Sequence, residues 1–234
     1  MEKAKTIKPF SIKDAREVAA KYTSSMGDDF IALDDISLAN LSNDTIRLGF
    51  FTYCFCTGGS VKFMINTQTV EMSSGDLFIG VGDQVFSKLD VSEDFHARMI
   101  LVSHQSIQDG IAGLTQLWPF LQYLYKYPVT HLTLKEQEWA KAGFDYIIWR
   151  MQREETRYRR ETMTALIRLF YFDICDILSF HCMSPVDIRS GSFGLFDKFI
   201  QLLSANFKKE RNVSWYSNKL CITPKYLSEV VKTV

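Results

Sequence analysis

The chain has 234 residues, 47% hydrophobic and 23% charged, with 27 Lys and Arg balancing 27 Asp and Glu. That is an ordinary composition for a soluble globular protein, with enough length for one large domain or two small ones. No apolar run nears the roughly 18 residues that span a bilayer, so no membrane segment is expected. No apolar core follows the charges of Met1 to Phe10, so no secretory signal is expected. Five cysteines, an odd number, point to a reducing cytoplasm rather than a disulfide framework.

Residues 1 to about 40 mix turn signals with one predicted helix, Ile12 to Tyr22, and a polar stretch, Ser24 to Asp29. Between about Ile46 and Ser103 the pattern becomes short strands separated by turns. Arg47–Cys56 is aromatic and β-prone and ends at Thr57-Gly-Gly-Ser60. Val61–Asn66, Thr69–Met72, Leu77–Val81 and His96–Ser103 follow. Such short, regularly spaced strands predict an antiparallel barrel or sandwich.

Half of the strand aromatics Phe50, Phe51, Tyr53, Phe55, Phe63 and Phe78 should face inward, packing a core or lining a pocket. Cys54 and Cys56 point to one face of their strand, without the second Cys pair or nearby His that zinc would need, and read as packing. His96 beside Arg98 reads as a structural histidine or as part of a site for an anionic effector. The four histidines (His96, His104, His131, His181) are scattered, so no metalloenzyme is expected. Asp76, Asp83 and Asp90 sit at turn-like positions. The chain has no Gly-x-Ser-x-Gly, phosphate-cradling loop or His-Glu-x-x-His, and an enzyme is not expected.

After about Leu114 the chain turns helical. Leu117–Tyr127 is dense in aromatics and ends before Pro128. Thr133 and Glu136 form a capping box that opens a helix reaching about Gln152. A second long helix is predicted from near Tyr158 to Cys182, with Met163, Leu166, Ile167, Phe170, Ile174, Ile177 and Leu178 on its apolar face. Those faces can bury against the strands or against a second copy. Ser184–Ser192 is rich in turn formers and reads as a linker.

Beyond it, Phe196, Phe199, Ile200, Leu203 and Phe207 recur at helical spacing. Two short helices around a tight turn are then predicted, the first N-capped by Ser214 and the second opened by Thr223-Pro224. Leu220, Ile222, Leu227 and Val231 should face inward, and Lys225, Ser228, Glu229 and Lys232 outward. That is the layout of a helix-turn-helix. From Phe193 to Val234 seven Lys and Arg face three Asp and Glu, a net +4, which leaves −4 on the remainder. A basic end suits phosphate contact.

The wording of Arg211-Asn-Val-Ser-Trp-Tyr-Ser-Asn-Lys-Leu-Cys-Ile-Thr-Pro-Lys-Tyr-Leu-Ser228 closely resembles the first helix-turn-helix of AraC-type transcription regulators, with Ser217 where the family prefers Ala. More loosely, Val61–Ile79, with its strand, turn, strand and Gly-Asp corner, resembles their cupin-like N-terminal barrel. The resemblance implies an α+β chain: a cupin-like antiparallel β-barrel, then long helices, then a partial all-α helix-turn-helix module.

On that reading residues 1–183 sense an effector and dimerise, with the barrel at about 40–105 and the helices at about 114–182. Residues 184–192 link, and 193–234 form the first helix-turn-helix. Family members carry two such units, and this sequence stops at Val234, as a fragment or a natural loss would.

The function implied is sequence-specific DNA binding by an effector-responsive cytoplasmic homodimer. The expected partners are DNA and a small-molecule effector of unassigned site, with no cofactor, metal or membrane. Lys225, Ser228 and Glu229 are expected to meet base edges, because Lys can donate to guanine and Glu can accept from cytosine. Glu229 reads equally as a plain surface charge. Lys219, Lys232 and Arg211, with Lys208 and Lys209 behind them, are expected at phosphates. The alternative is a ligand-binding and dimerisation protein that lacks productive DNA binding without the second helix-turn-helix.

Overall fold

A computed structural model describes residues 7–18, 23–36, 44–111, 114, 118–153, 157–181, 191–207 and 209–233. The chain packs as two units, one of residues 1–112 and 124–173, the other of residues 113–123 and 174–234.

Among its described residues the first unit is built on eleven short strands. One sheet runs β1 (Lys8–Phe10), β4 (Ile46–Leu48), β9 (Val85–Val91), β6 (Ser60–Ile65), β7 (Gln68–Ser73). The other runs β11 (Val129–His131), β8 (Asp76–Gly80), β5 (Phe50–Gly58), β10 (His96–Ser103), β3 (Phe30–Ile36), β2 (Thr23–Met26). Every pairing is antiparallel except β1 with β4. The strand region thus begins at Lys8, well before residue 40, and its strands form two separate sheets.

Strand alternation builds the core between them. Cys54, Cys56, Phe78 and Ala97 of the larger sheet meet Val61, Phe63, Ile65, Val70 and Met72 of the smaller. Phe63 stacks on Phe86 at 5.0 Å and meets Phe78 edge-on at 5.2 Å. A second cluster gathers Ile12 and Ala15 of α1 (Ile12–Val18) with Ile31, Leu33, Leu48, Phe50 and Leu101. The predicted helix is described only to Val18, its remainder lying outside the described residues.

β5 is buried on both faces, which is why its sequence is almost continuously apolar. Cys54 and Cys56 take one face, while Tyr53 and Phe55 on the other meet helices. Those helices are α4 (Leu134–Met151) and α5 (Arg159–His181), which follow α2 (His104–Ile111) and α3 (Trp118–Lys126). Phe170 meets Tyr53 edge-on at 5.3 Å, Phe144 lies 6.2 Å from Phe55, and the two helix rings are 5.6 Å apart. The capping box at the start of α4 is complete. Thr133 Oγ1 accepts from the Glu136 amide, and the Glu136 carboxylate accepts from the Thr133 amide at 2.7 Å.

In the second unit, α6 (Gly191–Asn206) precedes α7 (Val213–Lys219) and α8 (Pro224–Thr233). Gly191 and Ser192 open α6, and the rest of the predicted linker lies outside the described residues.

Candidate nucleic-acid interface

Helices α6, α7 and α8 pack around Phe196, Ile200 and Val230, flanked by Leu195, Phe199 and Leu203. Phe199 meets Tyr216 of α7 edge-on at 5.7 Å, and the Tyr216 hydroxyl donates to the Glu210 carbonyl at 2.7 Å. Ser217 is wholly buried and donates to the Ser214 carbonyl at 3.1 Å, so its hydroxyl costs little at this small-residue position. Phe207 is exposed one residue past α6, and the inward stripe stops before it.

Two expectations need correction here. The N-cap of α7 is Asn212, whose side chain accepts from the Ser214 amide at 2.9 Å; Ser214 is two residues into the capped turn. On α8 the inward pair is Leu227 and Val230, with Val230 at 3% exposure and Val231 at 41%. Positions three and four on from Leu227 both lie on its face, and packing against Phe196 and Ile200 selects Val230. The start of α8 is as read: Thr223 Oγ1 accepts from the Tyr226 amide at 3.2 Å and Pro224 is the first helical residue.

The turn between α7 and α8 holds Cys221 at φ +55°, a left-handed conformation that disfavours a Cβ. Cys221→Gly should therefore raise the stability of this unit by roughly 0.5–1 kcal/mol. Relief of about 1–2 kcal/mol of backbone strain is partly offset by glycine's unfolded-state freedom. Chemical denaturation would check this, with Cys221→Ala expected to show no gain.

With Leu227 and Val230 inward, Lys225, Ser228, Glu229 and Lys232 are all exposed. Lys225, Glu229 and Lys232 follow at i, i+4 and i+7 and so share one face of α8. Ser228 donates its hydroxyl to the Pro224 carbonyl at 2.9 Å, which leaves it only lone pairs to offer outward. Lys219 is exposed in the last turn of α7, its ammonium 5.5 Å from the centre of the Trp215 ring. Arg211 and Lys209 are exposed before α7, and Lys208 lies outside the described residues.

In the first unit, Arg98 is held by Asp34 (2.6 and 2.9 Å) and Asp145 (2.6 Å), and His96 Nδ1 lies 3.1 Å from Asp35. Both groups are thereby paired with carboxylates. Burial pushes the thiols of Cys54 and Cys56 up, and that of Cys175 up to about 12, so none is a ready nucleophile. Among the described residues no group of three or more His, Cys, Asp or Glu is placed to hold a metal ion. An open cleft of about 440 Å³ between α2 and α5 is lined by Asp109, Glu161, Arg160 and Arg168, charges that balance one another. No described helix is long and apolar enough to cross a membrane.

No protein-family model matches the sequence, and no curated protein is significantly similar to it. Among solved structures, it is similar to ToxT from Vibrio cholerae O395 bound to (E)-4-(8-methylnaphthalen-1-yl)but-3-enoic acid, at 9% identity and a TM-score of 0.40. That match covers 87% of this chain and 76% of the other. A cupin 2 conserved barrel domain protein from Leptotrichia buccalis matches at 15% identity and a TM-score of 0.24, over 32% of this chain and 33% of the other. The AraC-like transcriptional activator CuxR matches at 10% identity and a TM-score of 0.37, over 87% of this chain and 67% of the other. The solved structures similar to this chain include one described as an AraC-like transcriptional activator, CuxR.

Proposed function

We propose that the chain is a transcription regulator of the AraC type that binds DNA sequence-specifically through α7 and α8. The carrying observation is the helix-turn-helix itself: α8 is held by Leu227 and Val230, which turns Lys225, Ser228 and Glu229 outward. Such a helix enters the major groove. Lys225 donates to guanine O6 or N7, while Ser228 and Glu229 accept from amino groups of cytosine or adenine. Lys219, Lys232 and Arg211 hold phosphates, supplying affinity that falls with salt. The first unit senses a small effector and the chain works as a homodimer. It acts in the cytoplasm, where the thiols of Cys54, Cys56, Cys175 and Cys221 stay free. It is not an enzyme.

The test is selection from a random duplex library by the full chain, followed by anisotropy titrations of enriched DNA at two salt concentrations. Lys225→Ala should cost about 1–3 kcal/mol on the selected sequence and relax preference at one position, whereas Lys232→Ala should weaken all sequences alike and lower the salt slope by about one. No enrichment, and no salt-sensitive binding, would sink the reading.

A further inference from the structure

The cleft between α2 and α5, about 440 Å³, falls in the size range of sites that hold small molecules. Both of its walls belong to the first unit. From α5 come Arg160, Glu161, Thr164, Ala165 and Arg168, along one face of the helix, and from α2 come Asp109 and Gly110. Gly110, Thr164 and Ala165 are small and leave room between the charges.

The charges at the Arg160 end are anchored without closing on one another. Asp29 Oδ1 accepts from the Ser103 and Ser106 hydroxyls at 3.2 and 3.1 Å, and Asp109 Oδ1 accepts from the Gln105 amide at 2.8 Å. The other oxygen of each carboxylate faces Arg160, whose Nη2 stands 3.7 Å from Asp29 Oδ2 and 3.8 Å from Asp109 Oδ2. Both separations exceed hydrogen-bond length, so these groups hold each other by charge alone. Among the described residues Arg160 donates no hydrogen bond, and its planar fork of donors matches a carboxylate. Beside it, Asp109 Oδ2 can accept from an ammonium group.

We infer that this cleft binds an α-amino acid, with its carboxylate on Arg160 and its ammonium on Asp109. The inference rests on the small-effector sensing proposed above and names its site and ligand class. Opposite charges set side by side select the zwitterion. A plain anion meets Asp29, Asp109 and Glu161, and a plain amine meets Arg160 and Arg168, so each suffers a repulsion that the zwitterion offsets. The two charged groups of an α-amino acid sit on one carbon, which suits protein groups 3.8 Å apart. Its side chain then lies over Thr164 and Ala165.

The test is isothermal titration calorimetry of the full chain, without DNA, against the common L-amino acids. At least one should saturate a single site. Its amine counterpart, which lacks the carboxylate, and its N-acetyl derivative, which lacks the ammonium, should each bind roughly tenfold or more weakly. Arg160→Gln and Asp109→Asn should cause similar losses. Ala165→Phe, at an exposed position of the cleft, should block binding by filling it. All three variants should keep the wild-type circular dichroism spectrum. Binding of no amino acid, equal binding of both analogues, or wild-type affinity in the folded variants would overturn the inference. DNA binding is measured separately, with and without the amino acid. A chain that selects DNA yet binds no amino acid loses only the cleft. One that binds the amino acid with no change in DNA affinity keeps the cleft and loses the effector reading.

Discussion

Phe144→Ala should destabilise the first unit by about 3–5 kcal/mol, a large share of the 5–15 kcal/mol that holds a typical domain. The side chain is fully buried and lies between the Phe55 ring of the central strand and the Phe170 ring of α5. Truncation removes the transfer energy of an aromatic ring. It also leaves a hole whose walls belong to a strand and a helix that cannot both collapse into it. Leu134→Ala is the matched comparison, because Leu134 begins the same helix yet is 81% exposed, and should change stability by less than about 0.5 kcal/mol. Urea midpoints followed by circular dichroism would report both. A loss below about 1 kcal/mol for Phe144→Ala would mean that the helices add little to the sheet's core.

The sequence carried those features whose physical cause is local. The capping box at Thr133 and Glu136 and the Thr223-Pro224 start each depend on a few neighbouring residues, and both stand where they were read. Strands bounded by turn formers were equally legible. What was missed has a common origin in long-range pairing. Ser24 to Asp29 read only as a polar stretch, yet Thr23–Met26 is a strand because β3 lies beside it across the turn at Gly27, Asp28 and Asp29. β9 shows no clean alternation: most of its residues are half-buried, Lys88 has φ +55°, and its pairing with β6 slips between Lys62 and Met64. A bulge of that kind erases the period-two signal on which a strand is recognised.

The candidate DNA-reading face was legible for the same reason as the caps. An outward helical face is the complement of an inward one, and Leu227 alone nearly sets the phase. The ambiguity lay between two adjacent valines of identical chemistry.

The choice between those valines has the sharpest consequence for the proposed function. Val230→Asp should unfold the α6–α8 unit, whereas Val231→Asp should leave it folded. Val230 packs with Phe196 and Ile200 in an apolar cluster. An unpaired charge in such a place costs several kcal/mol, more than a packing unit of about 40 residues can lose. Val231 is two-fifths exposed, and its aspartate can remain in water. Hydrogen exchange would show lost amide protection across α6, α7 and α8 in the first variant and retained protection in the second. DNA binding should vanish with Val230→Asp because the scaffold of the reading helix is gone. The opposite result would rotate α8 by about 100°, turning Lys225, Ser228 and Glu229 away from their assigned face and removing the geometric basis for base reading.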